Sequence, residues 1–119
     1  MFRIASKQAK KSSFMQHRLG AVIVKGNRVL STGYNAIRYS KELRNSTVHA
    51  EEAAILKLLK AKRFEDLAGS TLYVTRFTKG GRIGLAKPCV RCRDLINSVG
   101  ISKVHYSTDT DSIGEYKCE

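Results

Sequence analysis

The alternation of apolar and polar blocks along the chain predicts an α/β sandwich. Residues 2–11 (FRIASKQAKK) read as a short basic helix. The continuous apolar run at 19–24 (LGAVIV) has strand length, Gly26-Asn27 signals a turn, and residues 28–34 (RVLSTGY) read as a second strand, giving a hairpin. Residues 36–48 are polar and irregular and predict a loop. The clearest helix spans 49–62 (HAEEAAILKLLKAK), with Ala54, Ile55, Leu58 and Leu59 on one face and Glu52, Lys57 and Lys60 among its polar positions. Gly69-Ser70 breaks the chain, and residues 71–75 (TLYVT), β-branched and aromatic, read as a strand. A glycine-rich basic connection follows at 77–87 (FTKGGRIGLAK). A second helix runs from about 89 to 99, where Cys92, Leu95, Ile96 and Val99 recur at helical spacing before Gly100, a C-terminal stop. Residues 101–106 (ISKVHY) make a fourth strand, and residues 106–119 read as an acidic, frayed tail. The final strand–helix–strand step is a βαβ unit and implies a parallel pair in a mixed sheet.

Composition narrows the class. A chain of 119 residues, 42% hydrophobic and 27% charged, suits one globular domain over 1–119. No apolar run approaches the roughly 20 residues of a membrane helix, and Met1-Phe2-Arg3-Ile4 lacks a secretory apolar core, so no membrane partner and a cytoplasmic location are expected. The net charge of +12 is uneven: residues 1–48 carry ten Lys/Arg against one acid, whereas residues 106–119 carry four acids against one Lys. Such a field concentrates anions, which means nucleotides, nucleic acid or an anionic surface. The three cysteines, Cys89, Cys92 and Cys118, are an odd count with one close C-x-x-C pair, a pattern of metal or redox chemistry rather than of a disulfide framework.

Two short segments carry the candidate chemistry. His49-Ala50-Glu51 opens one predicted helix and Pro88-Cys89-Val90-Arg91-Cys92 opens the other. Together they offer one imidazole and two thiolates for zinc. Three protein ligands leave a fourth position for water, the arrangement of a catalytic rather than a structural zinc site. Cys118, His17 and His105 are the remaining soft donors; a frayed tail, a strand entry and a strand face make them poor fourth ligands. Cys89 and Cys92 lie three apart, so both sulfurs point to one side of a first helical turn. There the helix dipole favours thiolate over thiol, and Pro88 sacrifices no helical hydrogen bond.

His-Ala-Glu followed by Pro-Cys-x-x-Cys resembles the zinc-dependent cytidine/deoxycytidylate deaminase family. The resemblance extends through LGAVIVKGNRVLSTGYN (19–35), GSTLYVTR (69–76) and CRDLINSVGISKVHYS (92–107), covering roughly residues 17 to 107. It implies a three-layer cytidine-deaminase-like sandwich, with helices on both faces of the mixed sheet, and a homo-oligomer. It implies hydrolytic deamination at C4 of a cytosine nucleotide, most directly dCMP to dUMP, by a zinc-activated hydroxide, with His49, Cys89 and Cys92 as ligands and Glu51 moving the protons. It further implies that Asn35 contacts the sugar and that the backbones of Ala50, Thr75 and Pro88 meet the base edge, while Glu52 faces solvent. Arg76, leaving the third strand toward the site, is the best candidate for an anion contact. The chain departs from many relatives in the eleven residues Phe77 to Lys87, which either fold over the pocket, bringing Lys79, Arg82 or Lys87 to a phosphate, or form a solvated excursion.

Two other readings remain. The basic N-terminal segment suits a deaminase of single-stranded or tRNA bases, although 8% aromatic content without Trp supplies few stacking platforms. A catalytically silent, zinc-stabilised binding module would retain the ligands and have no use for Glu51.

Overall fold

The computed structural model describes residues 1–12, 17–40, 44–110 and 112–118, and of residues 37–40 and 44–47 it describes the backbone. Helix α1 (Phe2–Ala9) leads into β1 (His17–Lys25) and β2 (Arg28–Tyr34), an antiparallel hairpin turning at Gly26-Asn27. Strands β3 (Ala36–Ser40) and β4 (Arg44–Val48) form a ladder of their own. Then come α2 (Ala50–Lys60), the single turn α3 (Phe64–Leu67), β5 (Thr71–Thr78), the stub β6 (Ile83–Gly84), α4 (Val90–Ser98), β7 (Lys103–Ser107) and β8 (Ile113–Lys117). The main sheet runs β2-β1-β5-β7-β8, with β6 beside the end of β5. Strands β1 and β5 are antiparallel and β5 and β7 parallel, so the sheet is mixed.

Helices cover both faces, as expected. On one side Ala5 of α1 packs against Val22 and Val24, with Ile4 and Tyr73 alongside. On the other, Ala54, Ile55 and Leu58 of α2 and Ile96 of α4 pack against Ala21, Ile23, Leu72, Val74 and Val104. Burial of each large aliphatic side chain there stabilises the fold by about 2 kcal/mol relative to exposure. Strand β1 lies between two covered faces, which explains its unbroken apolar run. Two glycines set the spacing of the layers. A Cβ at Gly20 would run into the backbone of Ala5 and Ala9, and one at Gly33 into the carbonyl of Ala50 and the N–H of Ala54. The second contact seats the first turn of α2 directly on β2 and so fixes where His49 begins the helix.

Three segments differ from their sequence-based reading. The stretch read as a loop at 36–48 forms the β3–β4 ladder, paired from Ala36↔Val48 to Ser40↔Arg44; residues 41–43 lie outside the described residues. Ile37, Tyr39, Thr47 and Val48 have strand propensity, but polar neighbours hide it. The connection at 77–87 is neither lid nor excursion in its first half: β5 continues to Thr78, turns through Lys79–Arg82, and β6 pairs back on Arg76 and Phe77. The acidic tail is an edge strand. Residues 113–117 pair with β7, and Glu115 approaches Lys103 at 3.4 Å and His105 at 3.8 Å, so the acids balance the basic strand beside them. Among the described residues no helix is long and apolar enough to cross a membrane.

Candidate active site

His49 is the N-cap of α2 and Cys89 the N-cap of α4. Both stand in extended conformation immediately before their helices, with Pro88 buried behind Cys89. The two helix starts face one another. Nδ1 of His49 lies 3.1 Å from Sγ of Cys92 and 3.7 Å from Sγ of Cys89, and the three donor atoms all fall within 4.8 Å of one another. Zn–N near 2.0 Å and Zn–S near 2.3 Å require donor separations of about 3.6 Å in a tetrahedron. The donor set and its spacing therefore fit one zinc ion. Among the described residues no further His, Cys, Asp or Glu joins the group, which matches the open fourth position of a catalytic centre. Burial pushes the Cys92 thiol well above its ordinary pKa, and the Glu51 carboxylate beside it acts in the same direction; a bound divalent cation reverses that bias and holds the thiolate.

The other soft donors lie elsewhere. His105 stacks on Tyr73 at 4.8 Å, on the sheet face that α1 covers. Cys118 is half-buried against the core, its N–H donating to the Ser102 carbonyl at 2.8 Å. His17 begins β1 and lines the same cleft as the metal group, where it is hydrogen-bonded to Arg76.

That cleft has a volume of about 330 Å³, enough for a small organic ligand. His49, Glu51 and Cys89 stand at one end and His17, Arg76 and Lys87 elsewhere on its wall, with Leu19, Asn35, Leu85 and Ala86 completing the lining. Glu51 is 4% exposed. Burial raises its carboxyl to about 7; a hydrogen bond to its own backbone and one with Cys92 act downward, and neighbouring Glu52 acts upward. A carboxyl near neutrality can both take and return a proton.

Asn35 is buried, and much of its bonding capacity is spent on the frame. Its Oδ1 accepts from the Leu19 N–H at 2.9 Å and its Nδ2 donates to the His17 carbonyl at 2.6 Å. One N–H and one lone pair remain for a ligand. Ala50 and Pro88 are absent from the cleft lining; the Ala50 side chain belongs to the core, and its carbonyl faces Gly33. Thr75 is buried and lines a separate hollow on the α1 side of the sheet, together with Phe2 and Ser6. Lys79 and Arg82, in the β5–β6 turn, are also absent from the lining, whereas Lys87 is part of it.

Glu52 does not simply face solvent. Its Oε1 accepts from the His49 N–H at 3.1 Å and from Arg91 Nη2 at 2.6 Å, tying the start of α4 to that of α2. The signal was present as an acid at the third helical position, which caps the residue three before it. The Arg91 partner has no such signature. Neither does His17, whose neighbourhood depends on the β1–β5 register.

Comparison with known proteins agrees with this geometry. Residues 1–108 match the family model for the cytidine and deoxycytidylate deaminase zinc-binding region. The chain is 33% identical to the deoxycytidylate deaminase of Mycobacterium phage D29, over 90% of this chain and 91% of that protein. It is 32% identical to a tRNA-specific adenosine deaminase of Aquifex aeolicus, over 75% of this chain and 50% of that protein. The dCMP deaminase of cyanophage S-TIM5 superposes with a TM-score of 0.64 at 26% identity, over 92% of this chain and 80% of that one. The chain belongs to the cytidine and deoxycytidylate deaminase family of zinc-binding hydrolytic enzymes.

Proposed function

We propose that the protein hydrolytically deaminates a free cytosine nucleotide, with dCMP to dUMP and ammonia as the reaction. The observation that carries this reading is a buried carboxyl, Glu51, set beside three zinc-ligating donors at one end of a cleft that also presents Arg76. The phage relative, a deoxycytidylate deaminase matched over 91% of its length, supports the choice of substrate.

His49, Cys89 and Cys92 hold the zinc ion. The ion, when bound, supplies the acidification of water that attack on C4 of the ring requires at neutral pH. Glu51 accepts a proton from that water and gives it to ring N3, then takes the proton left on the new C4 hydroxyl and delivers it to the departing amino nitrogen. One carboxyl serves all three atoms because attack and departure occur at the same carbon. Asn35 offers its remaining amide N–H to the sugar, and Arg76 meets an anionic group. The backbones of Ala50 and Pro88, flanking two ligands, remain candidates for the base edge. In this reading residues 1–119 act as one catalytic domain, and the exposed apolar side chains Leu85 and Val90 beside the site are covered in a homo-oligomer, which sedimentation would register.

The test is ammonia release by zinc-loaded protein from dCMP, CMP, deoxycytidine and cytosine. Turnover of dCMP is expected, and no release from any of the four overturns the reading. A second reading, deamination of a base in nucleic acid, is favoured by the net charge and by the tRNA-deaminase relative. It requires single-strand binding that is tighter than binding to the free nucleotide and falls steeply with salt.

A further inference from the structure

The cleft has a second group of functional side chains. His17 and Arg76 are diagonal neighbours across β1 and β5: Arg76 lies opposite Leu19 and His17 opposite Thr78, so both side chains emerge on the cleft face. Arg76 Nη2 stands 2.6 Å from His17 Nδ1. A guanidinium can only donate, so Nδ1 is the acceptor and the ring proton sits on Nε2, where it is a donor in turn. Arg76 is held from behind as well. Its backbone N–H donates to Ser107 Oγ at 3.1 Å, and its Nη1 reaches the Leu85 carbonyl at 3.4 Å. Yet its Nε is buried without a hydrogen-bond partner. That atom is packed against Gly84, so the guanidinium meets a ligand through its Nη edge, where donor capacity remains beyond His17 and Leu85. Lys87 adds a second cationic group to the wall, and Glu51 at the metal end is the one acid that lines the cleft among the described residues.

We propose that His17 and Arg76 together read a phosphate monoester on the substrate, so that His17 helps set selectivity for a nucleotide over a nucleoside. This rests on the deaminase reading above. A monoester carries close to two negative charges and three terminal oxygens, which can accept from the Arg76 guanidinium edge and His17 Nε2 at once. A nucleoside leaves both donors unmet. Charge-assisted bonds of this kind are about twice as strong as neutral ones, and Lys in place of Arg would lose the fixed fork of donors.

The test compares kcat/KM for dCMP and for deoxycytidine in zinc-loaded wild-type protein and in His17→Ala, His17→Gln and Arg76→Gln, with metal content checked for each. The wild type is expected to favour dCMP by about a hundredfold or more. His17→Ala and Arg76→Gln should each reduce that ratio by about tenfold or more, and His17→Gln, which keeps an N–H donor, should recover part of it. A wild-type ratio near one, or a ratio unmoved by His17→Ala, overturns the proposal while the deamination reading stands. If none of dCMP, CMP, deoxycytidine and cytosine turns over, the deamination reading fails, and calorimetric binding of dUMP against deoxyuridine decides the phosphate question separately. Tighter binding of dUMP that His17→Ala abolishes supports the proposal; equal affinities overturn it.

Discussion

The two ends of the cleft are built in opposite ways. At the metal end, His49, Cys89 and Cys92 stand on the first turns of two helices seated on the core, and the backbone before each helix is extended and fixed. Helix dipoles, a buried Glu51 and the Glu52–Arg91 bridge all converge there. At the basic end, His17, Arg76 and Lys87 come from a strand start, a strand end and the segment after β6, and Arg76 side-chain hydrogen bonds link His17 to the Leu85 carbonyl of that segment. The metal end is preorganised by backbone. The basic end is organised by side chains reaching across strands. Chemistry requires atoms held within fractions of an ångström, whereas anion recognition tolerates more movement because charge acts over distance.

That contrast makes graded predictions. His49→Ala should abolish zinc loading, seen by metal analysis, and reduce turnover by at least about ten-thousandfold, since no other described donor can take its place. Glu51→Gln should cost about a thousandfold in kcat while zinc content stays near one per chain. Retained zinc with lost turnover separates proton transfer from metal binding; unchanged turnover would remove Glu51 from the proton-carrying role. Arg91→Ala should weaken zinc affinity by about tenfold in chelator competition, because Glu52 loses the partner that ties the two helix starts together. The smallest effect belongs to the basic end. Lys87→Ala should raise KM for dCMP by about threefold, and the difference should shrink in high salt, since an exposed charge is screened. A salt-independent loss at Lys87 comparable to that at Glu51 would mean that the two ends are not organised differently after all.

Legibility followed the range of the interactions. Helices α1, α2 and α4 and the β1–β2 hairpin were readable because periodicity, Gly26-Asn27 and Gly100 are local signals. The β3–β4 ladder and β8 were missed because each gains its strand state from a partner: Arg44–Val48 from Ala36–Ser40, and Ile113–Lys117 from β7. Polar or acidic composition suppressed both signals. At the site, the metal donors were legible because each sits at a recognisable helix start. Glu52 was misread as a surface acid although its capping position was visible, and the expected roles of Ala50 and Pro88 concern backbone groups that residue identity does not describe.

By itself, then, the order of amino acids determined the metal donor set, the proposed proton carrier and the α/β class, since these depend on residue type and on separations of a few residues within single elements. The tertiary structure decided which residues face them. His17 and Arg76, 59 positions apart, meet because β1 and β5 pair in one register, and a slip of one residue would put them on opposite faces of the sheet. Register arises from the packing of a whole sheet between two helical layers, so it is a property of the fold and not of any segment read alone.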